Sequence, residues 1–177
     1  MTDFSHGQVA EWLDRILGSE GGYTDDRADA GSWTGGKVGH GELKGTKFGI
    51  SAASYPHLDI KNLEIADAER IFIDDYMKPI RAGQYRDGVA FQLFDLAVNS
   101  GPGRAIKLLQ KAIGTTQDGI VGPATLSALK SLSESDIIML VIAARIDFMR
   151  SLKNWPDHGN GWMGRIADNL RYGALDS

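Results

Sequence analysis

The stretch "ILGSEGGYTDDRADAGSW", residues 16–33, joins the end of a helical apolar pattern to a run of glycines and sets four carboxylates, Glu20, Asp25, Asp26 and Asp29, within ten residues. Upstream, Val9, Trp12, Leu13, Ile16 and Leu17 recur at helical spacing and define one apolar face. Ser5 with Gln8 reads as a capping box and Phe4 with Val9 as its hydrophobic staple, so the helix has a defined start. Gly21 and Gly22 are expected to end it. Glu20 then stands at the helix C-terminus, where the negative pole of the macrodipole and the apolar turn behind it both favour the protonated carboxyl. A carboxyl that keeps its proton near neutral pH can protonate a leaving oxygen, and glycoside hydrolysis sets such an acid opposite a second, ionised carboxylate. Asp29, nine positions on past a glycine-rich turn, is the candidate for that second group. On spacing alone a plainer reading carries more weight: Glu20 as a solvated helix-end residue and Asp25, Asp26 and Asp29 as turn formers.

Outward from this stretch, six glycines between Gly31 and Phe48 forbid a stable helix and fit a glycine-rich loop or short hairpin, the one β element expected. A turn-rich segment of that length inside a compact domain is usually functional. Helical patterns resume over about 63–77, stopped before Pro79, and over 88–99, with Val89, Ala90, Leu93, Phe94, Ala97 and Val98 on one face. Another spans 103–113, opened by Pro102 and closed by Gly114, and "TTQDGIVGP" supplies a turn before a short helix beginning at Pro123. Ser133 or Ser135 caps the segment 136–152, whose first two turns are apolar on every side and are expected to form the buried central helix. "NWPDHGNGW" is expected to break the chain before a last helix ending near Arg171. The fold class expected is mainly α, with a small glycine-rich β-hairpin region near residues 31–50.

At 177 residues and 42% apolar content the chain is long enough to bury a proper core. A net charge of -4 argues against nucleic acid or an anionic membrane held through a general positive field. The absence of cysteine excludes disulfides, thiolate nucleophiles and Cys-ligated zinc. The N-terminal residues lack the features of a signal peptide, so the product is expected to accumulate first in the cytoplasm. The longest apolar run, Ile137 to Ala144, is too short to cross a bilayer. "GSWTGGKV" places Val38 where a phosphate-binding loop needs Ser or Thr, "DDRADAG" lacks the EF-hand spacing, and the four histidines are scattered, His40 reading as a loop residue. No metal and no cofactor are therefore expected. Trp33, between glycines, has little local core to enter and is a candidate for stacking on a sugar face; Trp155 and Trp162, flanking the last helix, read as packing residues.

"EGGYTDDRADAG" followed by "TKFGIS" resembles the signature of the glycoside hydrolase family 108 muramidases: a Glu-Gly-Gly-Tyr box, an Asp-x-x-Asp-x-Gly turn and then Thr-x-x-Gly-Ile. "LFDLAVNSGPGRAIKLLQKAIG" and "QDGIVGPATLSAL" resemble the C-terminal half of the same proteins, usually described as a peptidoglycan-binding region, and "GWMGR" resembles their closing motif. The resemblance implies a lysozyme-like helical fold with a catalytic region at 1–95 and a helical peptidoglycan-binding region at 96–177, packed as one body. It implies hydrolysis of the bond between N-acetylmuramic acid and N-acetylglucosamine, without a cofactor.

By position the family's catalytic glutamate falls on Glu20. The spacing also resembles that of phage-type lysozymes, whose Glu, Asp and Thr would here be Glu20, Asp29 and Thr46, with Thr34 the nearer threonine in sequence. That likeness favours inversion, for which the two carboxyl groups stand about 6.5 to 9.5 Å apart. Arg27 and Ala30 stand where family members carry proline, and Asp26 also matches a family position and is the alternative second carboxylate. Tyr23 is expected beneath the acid, Asn99 at an N-acetyl group, and Asp26 and Trp33 among the substrate contacts, while Asp95 is expected to make a structural hydrogen bond. A lytic transglycosylase and a non-catalytic wall-binding module are the competing readings. The partner expected is the bacterial glycan strand, met by a monomer that reaches the wall through a holin or a secretion system.

Overall fold

The computed structural model describes residues 4–18 and 22–176. They form two compact units, Phe4–Ile73 and the residues from Asp74 onward. The functional boundary expected at 95/96 is a different division of the chain, since it lies inside one helix of the second unit.

In the first unit, α1 (His6–Leu17) begins where the sequence places it: Ser5 is the N-cap and its Oγ accepts the Gln8 N–H at 3.2 Å. Val9, Trp12, Leu13 and Ile16 are buried, and Phe4 sets its ring 4.9 Å from that of Trp12. The helix closes earlier than expected. Gly18 takes φ 66° and donates its N–H to the Asp14 carbonyl at 2.9 Å, so Gly18 is the cap, ahead of the expected Gly21–Gly22.

The glycine-rich region forms the expected hairpin, with β1 (Thr46–Lys47) antiparallel to β2 (Ile50–Ser51) and Thr46 opposite Ser51. Phe48 and Gly49 make its turn with φ of 51° and 74°, the two positive values of a primed hairpin turn. Gly49 is doubly required, because a Cβ there would lie 2.5 Å from Leu17 Cδ2. Then α2 (Ile65–Phe72) runs into a single π turn, Ile73–Met77, and the pattern stops before Pro79 as its sequence demands. Asp67 Oδ2 accepts the Glu64 N–H at 3.1 Å and satisfies one free donor at the start of α2.

The second unit contains α3 (Asp87–Ser100), α4 (Pro102–Ala112), α5 (Pro123–Lys130), α6 (Glu134–Arg150) and α7 (Trp155–Asp176). Ser133, one of the two serines offered by the sequence, caps α6 by accepting the Asp136 N–H at 3.1 Å. The central helix is α3 and not α6. Every residue from Gly88 to Ala97 is buried, and α3 packs against α4, α6 and α7, whereas α6 leaves Met139 56% and Leu140 40% exposed. Burial on all sides of α3 is eased because its polar residues find partners, Gln92 Nε2 donating to the Asn169 carbonyl at 2.9 Å and Asp95 being enclosed by donors, although the Gln92 Oε1 is buried without a partner among the described residues.

The expected break at "NWPDHGNGW" is absent; α7 runs straight through it. Pro156 sits in the first turn, where no backbone donor is needed. Gly159 lets the chain pass under the Trp155 indole, which a Cβ would meet at 2.9 Å. Glycine here serves close packing inside a helix. Among the described residues no helix is long and apolar enough to cross a membrane.

Candidate functional site

Glu20, the acid singled out by sequence, lies outside the described residues. The segment that follows it is anchored directly to the hairpin: the Thr24 N–H donates to the Thr46 carbonyl at 2.9 Å and the Thr46 N–H returns to the Thr24 carbonyl at 2.8 Å. Thr46 is thus held against residues 22–24 from both sides of its peptide. Among the described residues its hydroxyl has no hydrogen-bond partner, whereas the Thr34 Oγ1 accepts the Glu42 N–H at 2.9 Å and braces the glycine-rich loop. The two threonines left open by the sequence therefore sit in different roles.

Asp29 caps the short 3-10 turn Ala30–Ser32. Its Oδ1 accepts the Gly31 N–H at 3.0 Å and its Oδ2 accepts the Ser32 hydroxyl at 3.4 Å, while the side chain stays exposed. The Ser32 carbonyl accepts the Lys44 and Gly45 N–H groups, each at 3.0 Å, so the Asp29 turn is tied to the chain that leads into β1. Asp26 makes an Asx turn, accepting the Ala28 N–H at 2.8 Å. Trp33 is half-buried; its Nε1–H donates to the Arg27 carbonyl at 3.0 Å and its backbone bridges to Leu43. Asp26, Asp29, Trp33 and Thr46 are thus all held on one bonded scaffold within the first unit.

Tyr23 lines a hollow of about 340 Å³ with Lys44, His57, Asp59, Lys61 and Leu43. The Lys61 Nζ stands 6.0 Å from the centre of the Tyr23 ring, at the edge of cation–π range. Partial burial, with the carboxylates of Asp25 and Asp59 adding to it, raises the Tyr23 hydroxyl pKa above its ordinary value. An aromatic ring beside ammonium, imidazole and carboxylate groups is suited to a polyhydroxylated ligand. His57, Asp59 and Lys61 were not found by sequence reasoning; the only signal was a turn-rich "YPHLDIKN" with many polar groups and no diagnostic spacing.

Asn99 belongs to the second unit. Its Nδ2 donates to the Asp95 carbonyl one turn back at 2.7 Å, leaving the amide oxygen for another partner. Asp95 makes more than the one hydrogen bond expected: Arg145 and Arg165 both pair with it, and the Asn169 Nδ2 donates to its Oδ2 at 2.8 Å. Burial opposes ionisation of Asp95, but the two guanidiniums overcome it and hold the carboxyl below its ordinary pKa.

No curated protein sequence matches the chain. Among solved structures, SagA of Brucella abortus is similar over 97% of this chain and 97% of its own, with 28% identity and a TM-score of 0.76. The mainly α fold with its small antiparallel hairpin is the lysozyme-like fold that the sequence motifs imply. The model of the family described as Glycosyl hydrolase 108 matches residues 13–101, which include the acidic stretch, the hairpin and α3 up to Gly101. The chain belongs to the glycosyl hydrolase 108 family and is a glycoside hydrolase.

Proposed function

We propose that this glycoside hydrolase is an N-acetylmuramidase that cleaves peptidoglycan between N-acetylmuramic acid and N-acetylglucosamine. The observation that carries the reading is the family match over residues 13–101, and the resemblance of the Glu-Gly-Gly-Tyr box within it to the family signature supports Glu20 as the acid. Glu20 donates its proton to the bridging oxygen as the bond breaks. Asp29 stays ionised and stabilises the oxocarbenium-like state or polarises water, and Thr46 positions that water. Two features of the fold support the assignment. The segment leaving Glu20 is bonded to Thr46, and the Thr46 hydroxyl has no partner among the described residues. Tyr23, with the hollow it lines, and Trp33 supply aromatic surface for sugar rings. The protein acts on the wall after release through a holin or an export system.

Replacing Glu20 by Gln keeps size and removes the proton donor, so lysis of sacculi is expected to fall by about a hundredfold or more with folding retained. Unchanged lysis would move the acid elsewhere. Mass spectrometry of the fragments released by the parent protein is expected to show reducing-end muramic acid. Anhydromuramic acid would establish a lytic transglycosylase instead, and sedimentation with sacculi that are never cleaved would establish a binding module.

A further inference from the structure

Arg145 is a deeply buried cation of the second unit, its side chain only 4% exposed. A guanidinium carries five N–H donors. Among the described residues it gives only Nη1, to Asp95 Oδ2. Its Nε and Nη2 have no hydrogen-bond partner among the described residues, and Arg145 lines a cavity. That cavity has a volume of about 100 Å³. Arg165, on its wall, gives Nε and Nη2 to Asp95 Oδ1 at 2.9 and 2.5 Å, and its Nη1 has no partner among the described residues. Two guanidiniums share one carboxylate, which leaves the trio with a net charge of about +1 by formal count. A third, Arg104, lies 4.7 Å over the ring of Phe148, another wall residue.

The rest of the lining is divided. Phe148, Met149, Leu152 and Trp162 are apolar, and Asn99 and Ser100 are polar. Charge-assisted N–H donors beside a small apolar wall select an oxyanion carried on a short alkyl group, since a bare anion would leave the wall wet and an alkyl group alone would leave the guanidiniums without acceptors. We propose that this cavity binds a carboxylate with a methyl group on the adjacent carbon, oxygens toward Arg145 and Arg165 and methyl toward Trp162 and Leu152. Peptidoglycan offers that chemistry in two places, the lactyl group of muramic acid without a stem peptide and the terminal alanine of a stem peptide. The choice of these ligands rests on the peptidoglycan reading. The site then gives the wall a point of attachment that does not depend on bond cleavage.

The test is a titration of the folded protein with N-acetylmuramic acid and with acetyl-D-alanyl-D-alanine, each compared with its carboxamide, read by NMR at the Trp162 indole and the Ser100 amide. At least one carboxylate is expected to give a saturable shift, its identity naming the source, and the carboxamides none. Arg165→Gln removes a half-exposed donor, and Leu152→Trp fills the cavity without touching Asp95; each is expected to weaken binding roughly tenfold or more. No saturable shift with either carboxylate, or equal shifts with acid and amide, overturns the proposal. Lysis of sacculi by the parent protein is measured separately: carboxylate binding without lysis sinks the muramidase reading and keeps the site, and lysis without carboxylate binding does the reverse.

Discussion

Asp29 is bound into its own turn through both carboxylate oxygens, at 3.0 and 3.4 Å from Gly31 N and Ser32 Oγ. The turn-former reading and the catalytic reading therefore describe the same side chain, and a substitution that separates them is informative. Asn caps as well as Asp, so Asp29→Asn is expected to hold stability within about 0.5 kcal/mol while lowering wall lysis by about a hundredfold. Denaturant unfolding and a turbidity assay on sacculi measure the two; full lysis returns Asp29 to the turn and passes the role to Asp26. The Asx geometry of both residues was legible in the sequence because each bond spans two or three positions. Arg145 and Arg165 were not legible, because their meaning comes from Asp95, 50 and 70 residues away.

Among the elements, the hairpin turn shows how backbone conformation and packing converge on one residue. Gly49 has φ 74°, and its missing Cβ makes room for Leu17 from α1. Gly49→Ala is expected to cost about 2 kcal/mol, part from the left-handed backbone and part from displacement of the leucine; a fall in the denaturant midpoint with unchanged slope would register it. The boundaries of α1 and α7 teach a complementary point. Gly18 ended α1, yet Gly159 and its neighbours did not interrupt α7, where the Trp155 indole covers the chain. Composition marks a glycine as a possible stop, and packing decides whether it is used.

On the scale of the molecule, the second unit is organised around one buried charge. Asp95 on α3 receives Arg145 from α6 and both Arg165 and Asn169 from α7, fastening three helices at a point. Its native pKa lies below the ordinary 3.8. The unfolded chain therefore binds the proton more readily, and the stabilisation, complete above that ordinary value, is lost as the pH falls toward the native one. The parent protein is expected to lose stability on acidification below about pH 4. Asp95→Asn is expected to flatten that part of the profile and to cost about 3–5 kcal/mol at neutral pH, since Arg145 is left buried without its counter-charge. Unfolding midpoints at pH 3 and pH 7 for both proteins test this; parallel profiles would show that Asp95 does not govern acid stability.

The sequence by itself determined most of the helical segments, the Ser5 and Pro102 starts, the glycine-rich hairpin region and the motifs that place the chain among the glycoside hydrolases. These depend on periodicity, capping and allowed φ, which act between residues a few positions apart. Only the tertiary structure decided that α3 is central, that α7 is continuous, and that Arg145 faces a cavity with donors to spare. Burial and charge pairing depend on which distant residues arrive at the same place, and no local pattern carries that information.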